Sequence, residues 1–226
     1  MNGEGEEMDK PYEDPVNTAT SLIMDKNDEK TAELILKKVV ANIPDNWKPI
    51  NELTNEIRIA FWHKQEFLAY IEYYKKTRKA KNLIWVVPSY SRAFYYLSFI
   101  AVRRKEWNRA LVYINKALEL EEDHPVLLCE KAQIMNVGMN EKEEAYKIFM
   151  KAIAVRPWWI SAQAMRGAAV VLIDLKKLKE AEMWLQESLK IEPENKVAIN
   201  EMKYIKQLRS GKAPISQYEL IQTLPK

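Results

Sequence analysis

The 226-residue chain has five glycines and one cysteine, a composition that disfavours a turn-rich β protein and excludes an internal disulfide bond. The net charge of +3 does not require a polyanionic partner, and no apolar run approaches the roughly 20 residues that cross a bilayer. The start of the chain lacks the basic and apolar regions of a secretory signal. We therefore expect a soluble, cytoplasmic protein without a membrane span.

Residues 1–27 are acidic and interrupted by turn-forming residues. They contain seven acidic residues and two lysines, a net charge of −5, together with two prolines and two glycines. Such a composition buries too little apolar surface to offset the entropy of ordering the chain. We therefore predict an acidic, flexible tail over residues 1–27.

A helix is predicted to follow this tail. Asp28 can serve as its N-cap, and the apolar pattern continues to about Asn42. The inner stripe of this helix is predicted to comprise Leu34, Ile35, Val39 and Val40. We assign residues 28–88 to an N-terminal helical region.

Two later stretches of that region have their own patterns. Residues 67–74 align with residues 107–114 of the repeats described below, which suggests a degenerate repeat with Tyr70 at a small-residue position. Residues 82–90 have the β-branched and aromatic composition of a short strand. In this context we expect residues 82–90 to form an extended linker.

Residues 75–81 contain five cations in seven positions and form a basic run. Together with residues 103–105 this run could bind nucleic acid or an anionic surface. The alternative is a solvated helix end, where cations also interact favourably with the terminal carbonyl groups. No aromatic residue is interleaved and no nucleic-acid-binding motif is recognisable, so we favour the solvated helix end.

Residues 89–209 repeat one pattern three times at a nearly constant interval. In each copy a small residue is followed by a large apolar residue four positions later and a second small residue seven positions later. The copies are Ala110/Ile114/Ala117, Ala145/Phe149/Ala152 and Ala181/Leu185/Ser188. On a helix these positions form one stripe, and small side chains there let a second helix approach closely. The interval between copies is typical of stacked helical hairpins.

A first helix precedes each copy. The first helices carry the patterns Phe94-x-x-Leu97-Ser98, Leu128-x-x-Lys131-Ala132 and Met165-x-x-Ala168-Ala169. Pro157 and Pro193 close the last two copies, because proline cannot continue a helix. This arrangement resembles the tetratricopeptide repeat (TPR) family, whose unit has small residues at set positions and a closing proline. The chain departs from the family pattern at Ser98, which replaces a glycine, and at Glu122, which replaces the proline.

The resemblance implies an all-α, right-handed solenoid of three hairpins over residues 89–209. A capping helix that starts after Asn195 is expected to shield the end of the stack. Residues 210–226 are expected to form a C-terminal tail. TPR solenoids bind peptides or partner domains in a concave groove, so the resemblance implies a protein-interaction module or scaffold.

In the TPR family, the first helix of each hairpin lines the groove. The equivalent positions in this chain are Arg92, Tyr95, Phe99, Val102, Arg103, Val126, Cys129, Gln133, Asn136, Val137, Gln163, Arg166, Val170, Ile173 and Asp174. Arginines at such positions can bind carboxylates or backbone carbonyl groups. Chaperone-binding members hold a C-terminal carboxylate with a clamp of lysine, asparagine and arginine. At the clamp positions this chain has Tyr95, Phe99, Glu130, Gln163 and Gly167 instead. We therefore expect no binding of a chaperone tail.

No arrangement of catalytic residues is recognisable. The chain has only two histidines, His63 and His124, and Cys129 within a predicted helix is expected to be a packed residue. No phosphate-binding loop or nucleophile motif is present. We therefore predict no enzymatic activity, no metal and no cofactor.

Trp158 and Trp159 suggest a second class of function. Adjacent tryptophans on a helix cannot face the same way, so one of them could form a contact between copies of the chain. The alternative, which we favour, is that both pack between the second and third repeats. Two alternatives to groove binding remain. One is self-association into a homo-oligomer, and the other is nucleic-acid or anionic-surface binding through residues 75–81.

Overall fold

The computed structural model describes residues 14–62, 67–68, 70–72, 81–87, 89–155 and 158–211, with only the backbone described at 158–160. Most of these residues are helical. The helices are α1 (Pro15–Met24), α2 (Glu29–Val40), α3 (Tyr90–Arg103), α4 (Trp107–Leu120), α5 (Pro125–Gln133), α6 (Lys142–Ala154), α7 (Trp158–Asp174), α8 (Leu178–Ile191) and α9 (Lys196–Arg209). The predicted helical solenoid is confirmed, with α3–α4, α5–α6 and α7–α8 as its three predicted hairpins and α9 packed on α8 at the end.

The repeated small residues allow the close packing that the spacing predicted. The first residue of each copy, Ala110, Ala145 and Ala181, is fully buried, as are the residues seven positions later. Ser98, which replaces the family's glycine, donates a hydrogen bond from its hydroxyl to the carbonyl oxygen of Ala110 at 3.0 Å. This bond satisfies the buried hydroxyl and joins α3 to α4.

The predicted tail is wrong for the part of it that the structure describes. Residues 15–24 form helix α1, whose N-cap Asp14 accepts a hydrogen bond from the amide of Val16. Val16, Ala19 and Ile23 lie on one side of α1 and are buried against α2 and α3. This apolar stripe outweighs the acidic composition of the segment, while residues 1–13 lie outside the described residues.

Helices α1 and α2 form a further repeat, hairpin one, which the sequence analysis missed. Ala32, Leu36, Val39 and Pro44 have the same spacing as the small, large, small and proline positions of the later copies. Ala32 and Leu36 are fully buried. The interval from Ala32 to Ala110 is more than twice the later period, which hides the repeat. Leu34 was predicted on the inner stripe but is 68% exposed, because the buried stripe runs through Leu36.

The backbone of the inter-helix turns supports this assignment. Each turn between the first and second helix of a hairpin has a left-handed residue with φ between 53° and 60°: Asn27, Lys105, Asn140 and Lys176. Residues other than glycine adopt this conformation at a cost. Its recurrence at the same place in all four hairpins shows that α1–α2 is built like the others.

Residues 45–88, the insert, separate hairpin one from α3. The insert contains a three-stranded sheet of β1 (Ile50–Glu52), β2 (Glu56–Ile59) and β3 (Asn82–Trp85), with β1 antiparallel and β3 parallel to β2. The predicted N-terminal helical region is therefore wrong for these residues, and residues 82–85 are a strand rather than a linker. Ile57 and Ile59 alternate with exposed Arg58, which is the pattern of a strand with one buried face.

The predicted degenerate repeat belongs to this insert. Residues 67–68 and 70–72 are helical, and the side chain of Tyr70 packs against Ile57 and Ile59 of the sheet. Tyr70 therefore packs on the sheet instead of filling a small-residue position between stacked helices. The stack itself continues from hairpin one to α3, because α2 packs against α3.

An extra residue in the third hairpin changes the end of its first helix. The interval from Ala132 to Ala145 is one residue longer than the equivalent interval from Ser98 to Ala110. The structure accommodates the extra residue as a π-helical turn, Ile134–Gly138, directly after α5. Such turns insert one residue into a helix without breaking it. The turn changes which side chains at the end of α5 face the groove.

Candidate functional site

The residues predicted to line a concave face lie on α3, α5 and α7, the first helices of hairpins two, three and four. Among the predicted lining residues, Gln133 and Gln163 are exposed, while Tyr95, Phe99 and Val170 are partly buried. Asn136 lies in the π-helical turn and is only 7% exposed, whereas the next residue, Val137, is 58% exposed. The accessible part of the face therefore lies on α5, its π-helical turn and α7.

The three candidate arginines all have partners within the chain. Arg92 is buried and donates to the side-chain oxygen of Asn17 at 2.6 Å, with the Asp14 carboxylate 3.9 Å away. Each of these contacts joins α3 to hairpin one. The Nε of Arg92 has no hydrogen-bond partner among the described residues, but the side chain is covered, so Arg92 is not available to a ligand in this conformation.

Arg103 and Arg166 are paired as well. The Arg103 guanidinium lies 2.8 Å from the carboxylate of Glu29, and the Arg166 guanidinium lies 2.7 Å from that of Glu192. An ion pair within the chain lowers the net attraction that either arginine offers to a ligand carboxylate. The expected anion-binding role of these arginines therefore does not follow from their geometry.

The partners of Arg103 and its neighbour belong to a charged cluster between hairpins one and two. Glu33 of α2 accepts hydrogen bonds from Arg104 and Arg109, each at 2.6 Å. Burial alone would raise the pKa of Glu33, but hydrogen bonds from Lys37 and Arg104 lower it to about 2. The cluster thus joins hairpin one to the predicted solenoid and neutralises part of the basic group at residues 103–105.

The insert reaches the concave face through one tryptophan. Trp62 is 3% exposed, and its ring centroid lies 5.3 Å from that of Tyr95 and 4.2 Å from that of His124. Tyr95 is a predicted lining residue of α3, and His124 directly precedes α5. The insert therefore covers the part of the face nearest to Tyr95 and forms an aromatic wall beside α5.

Glu130 of α5 lies next to this wall. Burial raises the pKa of Tyr95, and the nearby charge of Glu130 raises it further. Burial and the same charge raise the pKa of Cys129 to about 12, against the opposing effect of Arg166. Cys129 is therefore a protonated, packed thiol at neutral pH, as its position in a helix predicted. The charge of Glu130 thus acts on both Tyr95 of α3 and Cys129 of α5.

The carboxylate of Glu130 is unusual among the lining groups. Burial raises its pKa to about 7, and no hydrogen bond or ion pair joins it to another residue in the described ranges. A carboxylate removed from water without a partner costs free energy in its charged form. The Glu130 side chain is partly buried, so burial disfavours its charge although the carboxylate keeps contact with solvent.

Two further carboxylates lie together toward the α9 end. Burial and the charge of Asp174 raise the pKa of Glu201 to about 7. Burial also raises the pKa of Asp174, against the opposing charge of Lys142. As with Glu130, neither carboxylate forms an ion pair or hydrogen bond with a residue that the structure describes. Burial therefore disfavours the charge of both carboxylates.

The packing of Gly167 explains why one position of the chaperone clamp is missing. A Cβ atom at Gly167 would lie 2.2 Å from the ring of Phe149, a fully buried residue of α6. An arginine at this position would collide with that ring. The phenyl group of Phe149 thus occupies the space that a longer side chain at residue 167 would need.

Other candidates lie largely outside the described residues. Trp158 and Trp159 form the first turn of α7, but their side chains lie outside the described part of the chain. In the basic run only Lys81 is described, and its ammonium group lies 2.7 Å from Glu52 and 2.8 Å from the carbonyl oxygen of Leu53. Their predicted roles stay predictions.

Neither a candidate metal site nor a membrane-spanning helix is found in the described ranges. Within them no group of three or more His, Cys, Asp or Glu side chains could hold a metal ion. Of the helices described, none is long and apolar enough to cross a membrane.

Sequence reasoning missed the two residues that most shape this face. Trp62 lies outside the repeats, so no repeat position could indicate that it contacts Tyr95. The sequence identifies Glu130 only as a replacement for the clamp asparagine, because its burial depends on the folded structure.

Comparisons with known proteins bear on the fold. No protein-family model matches the chain, and no curated protein sequence matches it. Among solved structures, PilW, a widely conserved type IV pilus biogenesis factor, has a TM-score of 0.62 at 15% identity over 87% of this chain and 69% of PilW. The MamA RS-1 ArsTM double mutant has a TM-score of 0.53 at 12% identity over 87% of this chain and 83% of that protein.

A shorter likeness covers the repeats. The first TPR domain of human RPAP3 has a TM-score of 0.50 at 20% identity, over 54% of this chain and 93% of that domain. Identities this low indicate a shared architecture of stacked helical hairpins. They do not identify the ligand of this chain.

Proposed function

We propose that this chain, which has the fold of a tetratricopeptide repeat solenoid, is a protein-interaction module that binds a segment of a partner protein along α5 and α7. The observation that carries the proposal is the accessible strip formed by Gln133, Val137 and Gln163, which stay exposed while the corresponding part of α3 is covered. An exposed valine beside amide side chains suits a peptide that contributes both apolar contacts and backbone hydrogen bonds.

The insert limits where the partner can bind. Because Trp62 packs on Tyr95, a ligand that follows the concave face meets the aromatic wall at α3 and has free access only toward α7 and α9. The solenoid supplies a rigid surface here, since the side chains beneath the strip, such as Ala132 and Ala168, are fully buried. A rigid surface lowers the entropy cost of binding.

Site-specific photo-crosslinking tests the proposal without knowledge of the partner. A photoreactive amino acid is placed at Gln133 or Gln163 on the concave face and, as matched controls, at Glu143 on α6 or Glu180 on α8. All four positions are exposed, so each substitution leaves the buried core unchanged. In cell lysate we expect specific crosslinked products from the first pair only.

The same experiment separates the alternatives. Equal crosslinking from α6 or α8 would contradict the groove and would favour binding through the outer helices. Crosslinked products that contain only this chain would contradict a partner protein and would favour self-association.

A further inference from the structure

Two neighbouring residues can fill one core position at the end of the first helix of hairpin three. In hairpins two and four, the last core position lies three residues after the small residue of the first helix and four residues before the left-handed residue of the turn. Both counts reach Ala101 in hairpin two and Leu172 in hairpin four, which are almost fully buried. In hairpin three the extra residue separates the counts, because the first reaches Met135 and the second reaches Asn136.

The π-helical turn buries the polar one of these two residues. Asn136 is only 7% exposed, and its Oδ1 atom has no hydrogen-bond partner in the part of the chain that the structure describes. Met135 is 8% exposed, so both side chains are covered at once. A buried amide oxygen without a partner costs free energy. Burying Met135 alone would avoid this cost.

The hydrogen bonds of the turn show where the extra residue lies. The amide of Met139 donates to the carbonyl oxygen of Ile134, five residues earlier, at 3.2 Å. The amide of Glu141 donates to the carbonyl oxygen of Met135 at 2.9 Å, six residues earlier, so this loop holds one residue more than its equivalents in hairpins two and four. An α-helical bond in place of the first would move the extra residue into the turn. It would also rotate the side chains before the turn by up to about 100°, the rotation of one residue in a helix.

We propose that this turn adopts two registers and that binding of the partner segment selects the second. In the second register the first helix is α-helical to its end, and Met135 alone fills the core position. The Asn136 carboxamide then lies at the surface beside Gln133 and Val137, where its donor and acceptor can bind a peptide group of the partner. That contact exists in one register only, which is what allows a ligand to shift the equilibrium. This inference rests on the proposed function and deepens it, because it adds a conformational change to the same groove.

The surroundings of the turn allow this change. A surface cavity of about 500 Å³ lies against the turn, and Trp107, Gly138 and Met139 are among its lining residues. In the present register Gly138 packs tightly on Trp107, since a Cβ atom at residue 138 would lie 2.6 Å from the indole ring. An alanine at this position therefore disfavours the present register and favours the second, in which residue 138 has rotated away from the ring.

Methionine methyl NMR tests for the two registers in the full chain without a partner. The methionine methyl groups are labelled with ¹³C, and relaxation dispersion detects exchange on the timescale of register shifts in helices. We expect exchange at Met135 and Met139, which lie in and beside the turn, and none at Met165 of α7. Asn136→Leu fills the buried position with an apolar side chain, so it should hold the present register and abolish the exchange. Exchange that is absent from the wild type, or that persists in Asn136→Leu, would overturn the inference.

Two substitutions in the turn should change peptide affinity in opposite directions. Dodecapeptides are selected on the full chain from a random phage library, labelled with a fluorophore and titrated. We expect Asn136→Leu to lose roughly tenfold or more in affinity, because it removes both the contact and the competent register. Gly138→Ala should bind more tightly than the wild type, and loss of folding cannot produce such a gain. Asn115→Leu on α4, the same replacement outside the strip, should bind like the wild type.

The remaining outcomes separate this inference from the proposed function. Peptides that crosslink at Gln133 or Gln163 but bind both turn variants as they bind the wild type would overturn the inference and leave groove binding intact. Weaker binding by Gly138→Ala, when thermal unfolding shows that this variant is folded, would also overturn it. If no selected peptide crosslinks at either glutamine, the proposed function fails and the role of the partner fails with it. The methionine exchange then decides the two registers alone.

Discussion

The indole ring of Trp62 stacks on the imidazole ring of His124, with ring centroids 4.2 Å apart and planes inclined by 18°. The two residues are distant in the sequence, and their contact joins the insert to the start of α5. Because Trp62 also contacts Tyr95, its side chain joins the insert to α3 as well as to α5. The accessible length of the groove therefore depends on this contact.

Replacing Trp62 by alanine should release the insert from the repeats. The side chain is almost fully buried, and truncating such an aromatic residue costs about 3 kcal/mol or more. We expect faster amide exchange in β1, β2 and β3 and greater accessibility of Tyr95, with smaller changes in α6 and α8. Leu53→Ala, a half-exposed position in the same insert, is the control. Unchanged exchange in the sheet would show that other contacts hold the insert.

Hairpin one can be tested as a structural repeat with two leucines of the same helix. Leu36 is fully buried and Leu34 is 68% exposed, so the same substitution should have different effects. We expect Leu36→Ala to lower the free energy of unfolding by about 3 kcal/mol and Leu34→Ala to change it by less than about 0.5 kcal/mol. Urea unfolding followed by circular dichroism measures both. Similar values for the two variants would contradict the docking of α2 in the stack.

The pairing of Glu33 with Arg104 and Arg109 predicts a pH dependence. Its pKa in the folded chain is about 2, below the ordinary 4.5, so the ionised form favours folding. That contribution is fully present above about pH 4.5 and is lost as the pH falls toward 2. The stability difference between the wild type and Glu33→Gln, measured by urea unfolding, should shrink over this range. A difference that stays constant with pH would contradict the ionised cluster.

Glu130 predicts the opposite dependence. Its pKa in the folded chain is about 7, above the ordinary 4.5, so the protonated form favours folding. The charged carboxylate therefore becomes destabilising as the pH rises from about 4.5 through 7. We expect Glu130→Gln to match the wild type in stability at pH 4 and to exceed it at pH 8. The raised pKa of Glu201 is present in both proteins, so it cancels in the comparison. A wild type that is more stable than the variant at pH 8 would reveal an internal partner for Glu130.

The repeat stripe could be predicted because it rests on local sequence. Ala110, Ala145 and Ala181 mark positions where helices approach closely, and the structure buries all three. Hairpin one obeys the same rule through Ala32 and Leu36, but the insert breaks the period by which repeats are recognised. A search for the internal spacing of one hairpin would have found it.

The contacts of the site could not be predicted, because they join distant parts of the chain. Arg92 is bonded to Asn17, 75 positions away, and Arg103 is paired with Glu29. The sequence shows that an arginine stands at a lining position but not whether a remote residue already occupies it. The π-helical turn could not be predicted either. Counting residues between the repeat positions reveals the extra residue before Ala145, but it does not show that this residue is accommodated within a helix.

The central claim, that a partner segment binds along the first helices of the last two hairpins, is tested most directly by hydrogen exchange. The full chain is compared with and without a saturating concentration of a dodecapeptide that was selected on it from a random phage library. Amide protection is measured by mass spectrometry. We predict added protection in α5, its π-helical turn and α7, with little change in α6 and α8. Protection confined to α6 and α8, or to hairpin one, would contradict binding at the concave face.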